Sequence, residues 1–468
     1  MGKIRIFRRH VPIQIVLIGL IEALVLAGSV YVGAYARYSG DPSDIAENVG
    51  PLFNRAILFA AVMVLSFGAM GLYQINLRER RLGILLRLVV GFAAGSILLT
   101  VIFYLFPMLY VGRGVFALAG IVAFLAIIVL RPLLFKTLDI ERMKRRVLVL
   151  GSGRKAAAII RRMRRRSDRR GFRLAGFVQF EEPPEEIERH GALINVGERL
   201  TDYAASHQID EIVVALDDRR NNLSLAELLK CRLRGIEVLD LATFFERETG
   251  AVALDLVDPS WLIFGEGFRT GFLRAQAKRL LDIAIALTML ILTLPLLGLT
   301  AVLIVLDDGW KKPVLYSQVR IGERGMLFKV LKFRSMRTDA ESAGPQWASK
   351  RDSRVTRVGA WIRKFRIDEL PQIFNVLRGD MSFVGPRPER PEFVAELEKN
   401  LLYYRERHAV KPGITGWAQL RYPYGSSQKD ALEKLKYDLF YVKNHSVAFD
   451  LLILLQTVEV VLFGKGAR

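Results

Sequence analysis

The sequence predicts a three-part chain: a membrane α-helical bundle, an α/β Rossmann-like domain, and an α/β membrane-associated domain that carries a re-entrant helical hairpin. Three observations predict it. Four apolar segments long enough to span a bilayer open the chain. A strand, a glycine turn and a helix follow them, and a fifth apolar segment with a proline at its midpoint precedes a basic C-terminal third. Hydrophobic residues make up 51% of the 468 positions, which suits a membrane protein with folded parts outside the bilayer and leaves room for two or three folded units.

The first four apolar segments cover about 11–32, 56–73, 88–106 and 115–135. Their flanks carry a consistent bias. Lys3, Arg5, Arg8 and Arg9 precede the first segment, Asp41, Asp44 and Glu47 lie in the first loop, and Arg78, Arg80 and Arg81 fill the second. The third loop holds Arg113, and Lys136, Arg142, Lys144, Arg145 and Arg146 follow the fourth segment, so both ends of a bundle over 1–140 face the cytoplasm. The basic start resembles a signal peptide, but no small-x-small exit precedes Arg37 and three apolar segments follow, so the first segment is read as retained. Glu22, Arg87 and Arg131 are the notable charges within or beside these segments, and no pair of broken helices repeats, which argues against a transporter.

A second domain is expected over 141–265. Residues 146–150 read as a buried strand, followed by Gly151-Ser152-Gly153-Arg154-Lys155-Ala156 and a helix to Met163. Such a turn lets backbone amides approach a phosphate at a helix N-terminus, and apolar runs at 174–178 and 212–215 supply further strands. Ala156 stands where the pattern has its third glycine, and no acid sits clearly at the end of the second strand to hold a ribose. Three readings follow: a nucleotide-binding-type domain whose ligand has been lost or changed, a nucleotide or sugar-nucleotide sensor, and a turn that is merely tight.

The fifth apolar segment, 283–306, has Pro295 at its centre. Hydropathy admits a kinked spanning helix as well as a re-entrant hairpin. Arg274, Lys278 and Arg279 before it, and Lys311, Lys312 and Arg320 after it, favour the hairpin by placing both flanks on the cytoplasmic side. Proline removes a helical hydrogen bond, and each arm of about 12 residues rises roughly 18 Å, about half the bilayer. The hairpin is expected over 270–312.

Lys and Arg outnumber Asp and Glu 68 to 47, a formal charge of +21. Much of the surplus borders apolar segments, where it matches anionic membrane lipids, so lipid rather than nucleic acid is the expected partner. The single cysteine, Cys231, rules out an internal disulfide and a cysteine-cluster metal site.

The remaining domain, 313–468, holds the densest chemistry: Ser317-Gln318-Val319-Arg320-Ile321-Gly322, Phe328-Lys329-Val330-Leu331-Lys332-Phe333-Arg334-Ser335-Met336, Arg366-Ile367-Asp368-Glu369-Leu370-Pro371-Gln372, and Gly385-Pro386-Arg387-Pro388. Adjacent Asp368 and Glu369 among cations can hold magnesium while guanidinium groups such as those of Arg320, Arg366 and Arg387 bind phosphate oxygens, a constellation for phosphoryl transfer. Histidine is scarce, so thiol or zinc chemistry has little to work with, and a carboxylate nucleophile stays open where metal and cations neutralise the developing charge. Two bland readings stand beside this one. Asp368 and Glu369 can form a solvated helix face paired with Arg363 and Arg366, and Pro386 and Pro388 can simply stiffen a loop, though a stiff loop also pre-positions an Arg. The last apolar stretch, 447–463, is broken by Asp450, Gln456 and Glu459 and fits an interfacial helix or a buried core helix.

Residues 278–461 closely resemble the bacterial sugar transferase family of polyprenyl-phosphate hexose-1-phosphate transferases, which start exopolysaccharide and O-antigen repeat units. Five blocks carry the resemblance in the family's order: Lys332 to Met336, Asp368-Glu369-Leu370-Pro371-Gln372, Gly379-Asp380-Met381-Ser382, Gly385-Pro386-Arg387-Pro388, and Lys411-Pro412-Gly413-Ile414-Thr415-Gly416. The bundle and glycine-turn domain resemble the family's large form. The N-terminal sequence and Phe264-Gly265-Glu266-Gly267-Phe268 resemble its exopolysaccharide branch. The resemblance implies a multi-pass protein of the bacterial inner membrane with its phosphoglycosyl transferase catalytic domain on the cytoplasmic face, and a homodimer. It implies a UDP-sugar as donor, undecaprenyl phosphate as acceptor and Mg2+ as cofactor. Asp368 matches the family's nucleophile, Glu369 the neighbouring magnesium ligand and Lys332 the cation near the phosphates. Arg334 and Arg387 are candidates for phosphate or uridine contacts, and Asp438 falls in a further family block at the substrate. Small members have a serine before the kink proline, where this chain has Leu294, with Thr293 one residue earlier. The sugar is left open between glucose, galactose and others.

Two rival classes remain: a membrane sensor or scaffold whose C-terminal blocks are a relic, and a membrane-anchored oxidoreductase with a dinucleotide on the glycine turn. A relic is expected to lose Asp368 or Lys332, and the oxidoreductase accounts for none of the C-terminal blocks.

Overall fold

The structure is a computed structural model that describes residues 4–6, 9–11, 13–73, 81–137, 144–164, 168–169, 171–195, 200–218, 224–256, 271–338, 340, 354–422, 425 and 427–462. Its contacts divide the chain into two units, Met1–Thr249 and Gly250–Arg468. The motif at 264–268 lies outside the described residues.

In the first unit a short antiparallel pair, β1 (Ile4–Ile6) and β2 (Arg9–Val11), precedes the helices α1 (Ile13–Arg37), α2 (Pro42–Asn48), α3 (Leu52–Ala69), α4 (Arg81–Leu105) and α5 (Arg113–Thr137). All but α2 contain a stretch long and apolar enough to cross a membrane. Helix α1 packs on α5 and α3, and α3 on α4. It runs five residues beyond the expected end at 32, because Gly33 to Arg37 contain no proline and no polar cap to stop it. Helix α3 stops at Ala69, before a turn in which Gly71 takes the left-handed conformation.

The three charges singled out in this bundle are all buried. Arg131 pairs with Glu22 at 2.9 Å, and the Tyr73 hydroxyl donates to Glu22 at 2.6 Å. Arg87 donates to the Met70 carbonyl at 2.7 Å and Arg131 to that of Leu72 at 3.3 Å. Both arginines therefore satisfy carbonyls freed where α3 ends, a need that is acute in an apolar surround.

The second half of this unit is a five-stranded, all-parallel sheet: β3 (Arg145–Leu150), β4 (Phe172–Val178), β5 (Leu193–Ile194), β6 (Glu211–Val214) and β7 (Glu237–Asp240), in the order β5-β4-β3-β6-β7. Helices α6 (Arg154–Arg162), α7 (Glu185–His190), α8 (Leu200–Ser206) and α9 (Leu225–Leu233) connect the strands, and α10 (Leu241–Thr249) follows. Strands β3 and β6 are buried along almost their whole length, and are apolar beyond their first residues, because both faces of the sheet are covered. Cys231 is fully buried in this core.

In the second unit the first long helix among the described residues is α11 (Phe272–Asp308), which runs helically through Pro295. The Thr293 hydroxyl donates to the Met289 carbonyl at 2.7 Å, not to that of Ile291, the acceptor that Pro295 leaves without its helical donor. An antiparallel hairpin follows, β8 (Leu315–Ile321) and β9 (Leu327–Phe333), with Tyr316 opposite Lys332. Then come α12 (Arg357–Lys364), a 3-10 turn at Ile367–Glu369, and α13 (Gln372–Arg378). Strand β10 (Ser382–Val384) pairs in parallel with β11 (Gly413–Thr415), with α14 (Pro391–Asn400) between them in sequence. Helices α15 (Trp417–Arg421), α16 (Gln428–Asn444) and α17 (Val447–Leu462) close the chain.

The core of this unit gathers Trp417, Tyr441, Phe440, Phe383, Val376 and Leu439 with Ala286 of α11. Helix α17 puts Phe449, Asp450 and Ile453 into it and leaves Leu451 and Val458 exposed, so one face meets the expectation of a core helix and the other is open. Two sequence blocks meet as bare backbone. A Cβ on Gly385 would lie 2.3 Å from the Lys411 carbonyl, and one on Gly413 would lie 2.1 Å from Gly385 N. The glycines in these two blocks thus serve a close main-chain crossing.

Candidate active site

Three elements bring the cluster together. Strand β9 carries Lys332, the 3-10 turn carries Asp368 and Glu369, and the loop after β10 carries Arg387. The turn is tight because Arg366 adopts a left-handed conformation (φ 58°), unusual for a residue with a Cβ and a common mark of a functional segment. Ile367 is buried and pins the turn from beneath. The Glu369 amide donates to Arg366 O at 3.3 Å, and Pro371 then opens α13.

Glu369 is the electrostatic centre. Its Oε1 lies 2.9 Å from Arg387 Nη2 and 3.4 Å from Lys332 Nζ, and its Oε2 lies 3.8 Å from Arg366 Nη1. Burial works to raise its pKa, but Arg387, Lys332 and Arg366 outweigh burial and hold the carboxyl well below the ordinary carboxylate range. Asp368 differs. Burial, then the negative charge of Glu369, raise its pKa against the pull of Lys332, Arg363 and Arg366. Its carboxylate is half-buried and makes no hydrogen bond or ion pair among the described residues. Burial also lowers the Lys332 pKa, opposed first by Glu369. Two adjacent carboxylates are thus driven apart in character, one a fixed anion and the other a more basic, uncommitted oxygen pair.

Adjacent Asp368 and Glu369 offer the hard oxygen donors that magnesium takes, with phosphate oxygens and water filling the rest of its shell. Among the described residues no group of three or more His, Cys, Asp or Glu side chains could form a closed cage. The Asp368 and Glu369 carboxylates thus fit part of a magnesium shell.

The other expected residues are placed unevenly. Arg320 lies beside the cluster on β8, where it donates to the Pro388 carbonyl at 3.2 Å and pairs with Glu389 at 3.7 Å. Arg334 is buried, and its Nε donates to the Pro313 carbonyl at 2.7 Å, so this guanidinium helps to hold the entry to β8. Asp438 is 2% exposed, and its Oδ2 is gripped by Arg407 Nε at 3.0 Å and Nη2 at 2.7 Å. Burial packs both Arg334 and Asp438 into the scaffold.

Residues that sequence reasoning passed over hold the site in place. Asn375 is fully buried, accepts from Leu331 N at 2.9 Å and donates to Lys329 O at 2.8 Å, so its amide continues the ladder of the strand that carries Lys332. The signal for it was an Asn flanked by apolar Ile373 and Val376 on one helix face. Lys278 Nζ reaches Asp450 at 2.6 Å, Val384 O at 3.1 Å and the Tyr441 hydroxyl at 3.2 Å, joining α11 to β10 and α17. Asp282 accepts from Ser382 Oγ at 2.9 Å and Phe383 N at 3.0 Å.

At the glycine turn, Gly151 has a positive φ of 118° and Ala156 is buried. The amides of Arg154 and Lys155, which a phosphate would take, donate instead to the Asp217 carboxylate at 2.8 and 2.9 Å. A Cβ on Gly153 would meet Asp217 at 2.3 Å and Glu181 at 2.4 Å, so the turn closes over the chain's own carboxylates. An anion at a helix N-terminus needs no ligand when the chain supplies one.

Residues 273–464 match the family described as bacterial sugar transferase, and residues 68–227 match one described as CoA-binding domain. The chain is 42% identical over 241 residues to a UDP-N-acetylgalactosamine-undecaprenyl-phosphate N-acetylgalactosaminephosphotransferase of Aeromonas hydrophila, covering 52% of this chain and 56% of that protein. It is 33% identical over 335 residues to an undecaprenyl-phosphate glucose phosphotransferase of Komagataeibacter xylinus, covering 70% of this chain and 61% of the relative. It is 41% identical over 199 residues to an exopolysaccharide production protein of Rhizobium leguminosarum bv. phaseoli, covering 40% of this chain and 97% of that protein. The chain thus spans 56% and 61% of the lengths of the first two.

Proposed function

Because the chain belongs to the bacterial sugar transferase family, we propose that it transfers a hexose-1-phosphate from a UDP-sugar to undecaprenyl phosphate, releasing UMP, as the first step of exopolysaccharide or O-antigen synthesis. The observation that carries this reading is the split pair: Asp368 uncommitted and more basic than usual, beside Glu369 neutralised by Arg387, Lys332 and Arg366.

An Asp368 oxygen attacks the phosphorus that bears the sugar. A P–O bond to Asp368 forms, the P–O bond to UMP breaks, and the phospho-sugar is left covalently on the enzyme. An oxygen of the lipid phosphate then attacks the same phosphorus and expels the Asp368 carboxylate. Lys332, Arg387 and Arg366 offset the charge that gathers on the phosphate oxygens. Asp368 and Glu369 would hold a magnesium ion, which would supply further neutralisation of the phosphate charge.

Three finer readings accompany this one. Helix α11 acts as a re-entrant hairpin: the arm before Pro295 packs into the core around Phe383, while Leu297 and Ile304 beyond it pack on Phe333, Ile362 and Ile367 of the same domain. Asp307 at its far end accepts from Val358 N at 3.2 Å. The five-stranded sheet is Rossmann-like, with its first strand central and the order reversing beside it. The protein works as a homodimer in the bacterial inner membrane, with this site on the cytoplasmic face.

The test is UMP release by the full chain in nanodiscs with undecaprenyl phosphate and a panel of UDP-sugars. One donor is expected to support release that requires the lipid phosphate, stops with EDTA and returns with Mg2+. Asp368→Asn is expected to lower the rate at least about 10³-fold and to leave no acid-labile phospho-sugar on the protein. Full activity in that variant would remove the nucleophile assignment.

A further inference from the structure

Building on the phosphotransfer reading above, we propose that Arg407 and Asp438 are positioning residues that hold Arg387 against Glu369 by gripping the main chain of the loop that carries it. The loop after β10 is built to be rigid. Val384 O accepts from Lys278 Nζ at 3.1 Å and the Tyr441 hydroxyl at 2.9 Å, Pro386 O from Gly413 N at 2.9 Å, and Glu389 O from Ile321 N at 3.1 Å. Pro388 O accepts from Arg320 Nη1 at 3.2 Å. The carbonyl of Arg387 itself accepts from Arg407 Nη2 at 3.1 Å.

Arg407 lies in the 3-10 turn Arg405–Ala409 and is 4% exposed. Asp438 of α16 takes its Nε and Nη2, and the Tyr404 hydroxyl accepts from its Nη1 at 3.1 Å. A buried ion pair is seldom more stabilising than an apolar pair of the same volume, so its presence asks for work that apolar groups cannot do. Donating to the Arg387 carbonyl is such work. Asp438 orients the Arg407 fork, Arg407 fixes the Arg387 backbone, Pro386 and Pro388 restrict φ on either side, and the Arg387 side chain then meets Glu369 Oε1 at 2.9 Å. The pair thus acts on the reaction through Arg387 without touching substrate.

Two measurements on the full chain in nanodiscs test this. The first is hydrogen exchange in wild type and Arg407→Lys, whose single ammonium keeps the charge opposite Asp438 but cannot grip both Asp438 and the Arg387 carbonyl. Faster exchange confined to peptides containing Gly385 and Gly413 is expected, and unchanged protection there overturns the tether. This readout needs no donor.

The second is a double-mutant cycle on UMP release. Arg407→Lys and Asp438→Asn are each expected to lower kcat about 10²-fold with KM nearly unchanged, but by less than about threefold in an Arg387→Lys background. Equal losses in both backgrounds, or losses that follow the melting temperature, overturn the proposal. Should wild type release no UMP from any UDP-sugar, the phosphotransfer reading falls, and the exchange result still decides the tether.

Discussion

His408 shows how one buried side chain ties stability to pH. Its ring is 7% exposed, and burial, then the neighbouring Arg407 charge, push its pKa down to about 3. The folded protein thus takes a proton less readily than the unfolded chain, whose histidine titrates near 6.5. The stability that His408 confers is complete above pH 6.5 and is lost as the pH falls toward 3, by about 2 kcal/mol at pH 5. The drop in melting temperature between pH 7.5 and 5 is expected to be smaller in His408→Leu than in wild type. An equal drop would assign the acid sensitivity to other groups. At the same scale, Asp368 and Glu369 were legible as a pair from their residue types, and their separate roles only through the family resemblance; neither source shows the physical cause of the difference. Which of two adjacent carboxylates stays free depends on where Arg387, 18 positions away in the chain, comes to rest.

Single polar residues inside helices register the elements of this protein. Asn375 on α13 completes the hydrogen bonding of Lys329 and Leu331 on β9, where a neighbouring strand would otherwise be needed. Asn375→Leu keeps the volume and leaves two main-chain groups without partners, so it is expected to destabilise the protein by about 2 kcal/mol. It is also expected to lower kcat, since β9 carries Lys332. A variant with wild-type melting and kcat would show that β9 is held by other means. In the bundle, Glu22→Gln leaves Arg131 without its counter-charge in a buried site, at a cost of about 3–5 kcal/mol, to be read as a lower melting temperature in detergent. The four early helices and the strand that precedes the glycine turn could be read from apolar length and run, because such elements bury apolar surface whatever their neighbours. Their ends moved by several residues, since termination depends on local turns such as that at Gly71.

For the whole molecule, the decisive question is on which side of the membrane each flank of α11 lies. Cys231 is buried, which leaves single surface cysteines free to report. Arg274→Cys and Lys311→Cys, made separately, are both expected to react with a membrane-impermeant maleimide only after the cells are opened. Labelling of one site in intact cells would make α11 a kinked spanning helix. The charge surplus of +21 belongs to this scale as well, because it suits a protein that rests against anionic lipid.

The sequence by itself determined the long apolar helices, the α/β domain, and the carboxylates and cations that meet in one cluster. Each of these rests on local properties: apolar length, strand and turn chemistry, or a short motif whose residue types limit what it can do. Only the tertiary structure decided that Asp217 fills the glycine turn, that Arg334 and Asp438 turn into the scaffold, and that Gly385 and Gly413 serve a main-chain crossing. The physical reason is the same in each case. A charged or small residue acquires its role from the partner it meets, and those partners lie tens of residues away, brought into contact by burial of a core that no single segment encodes.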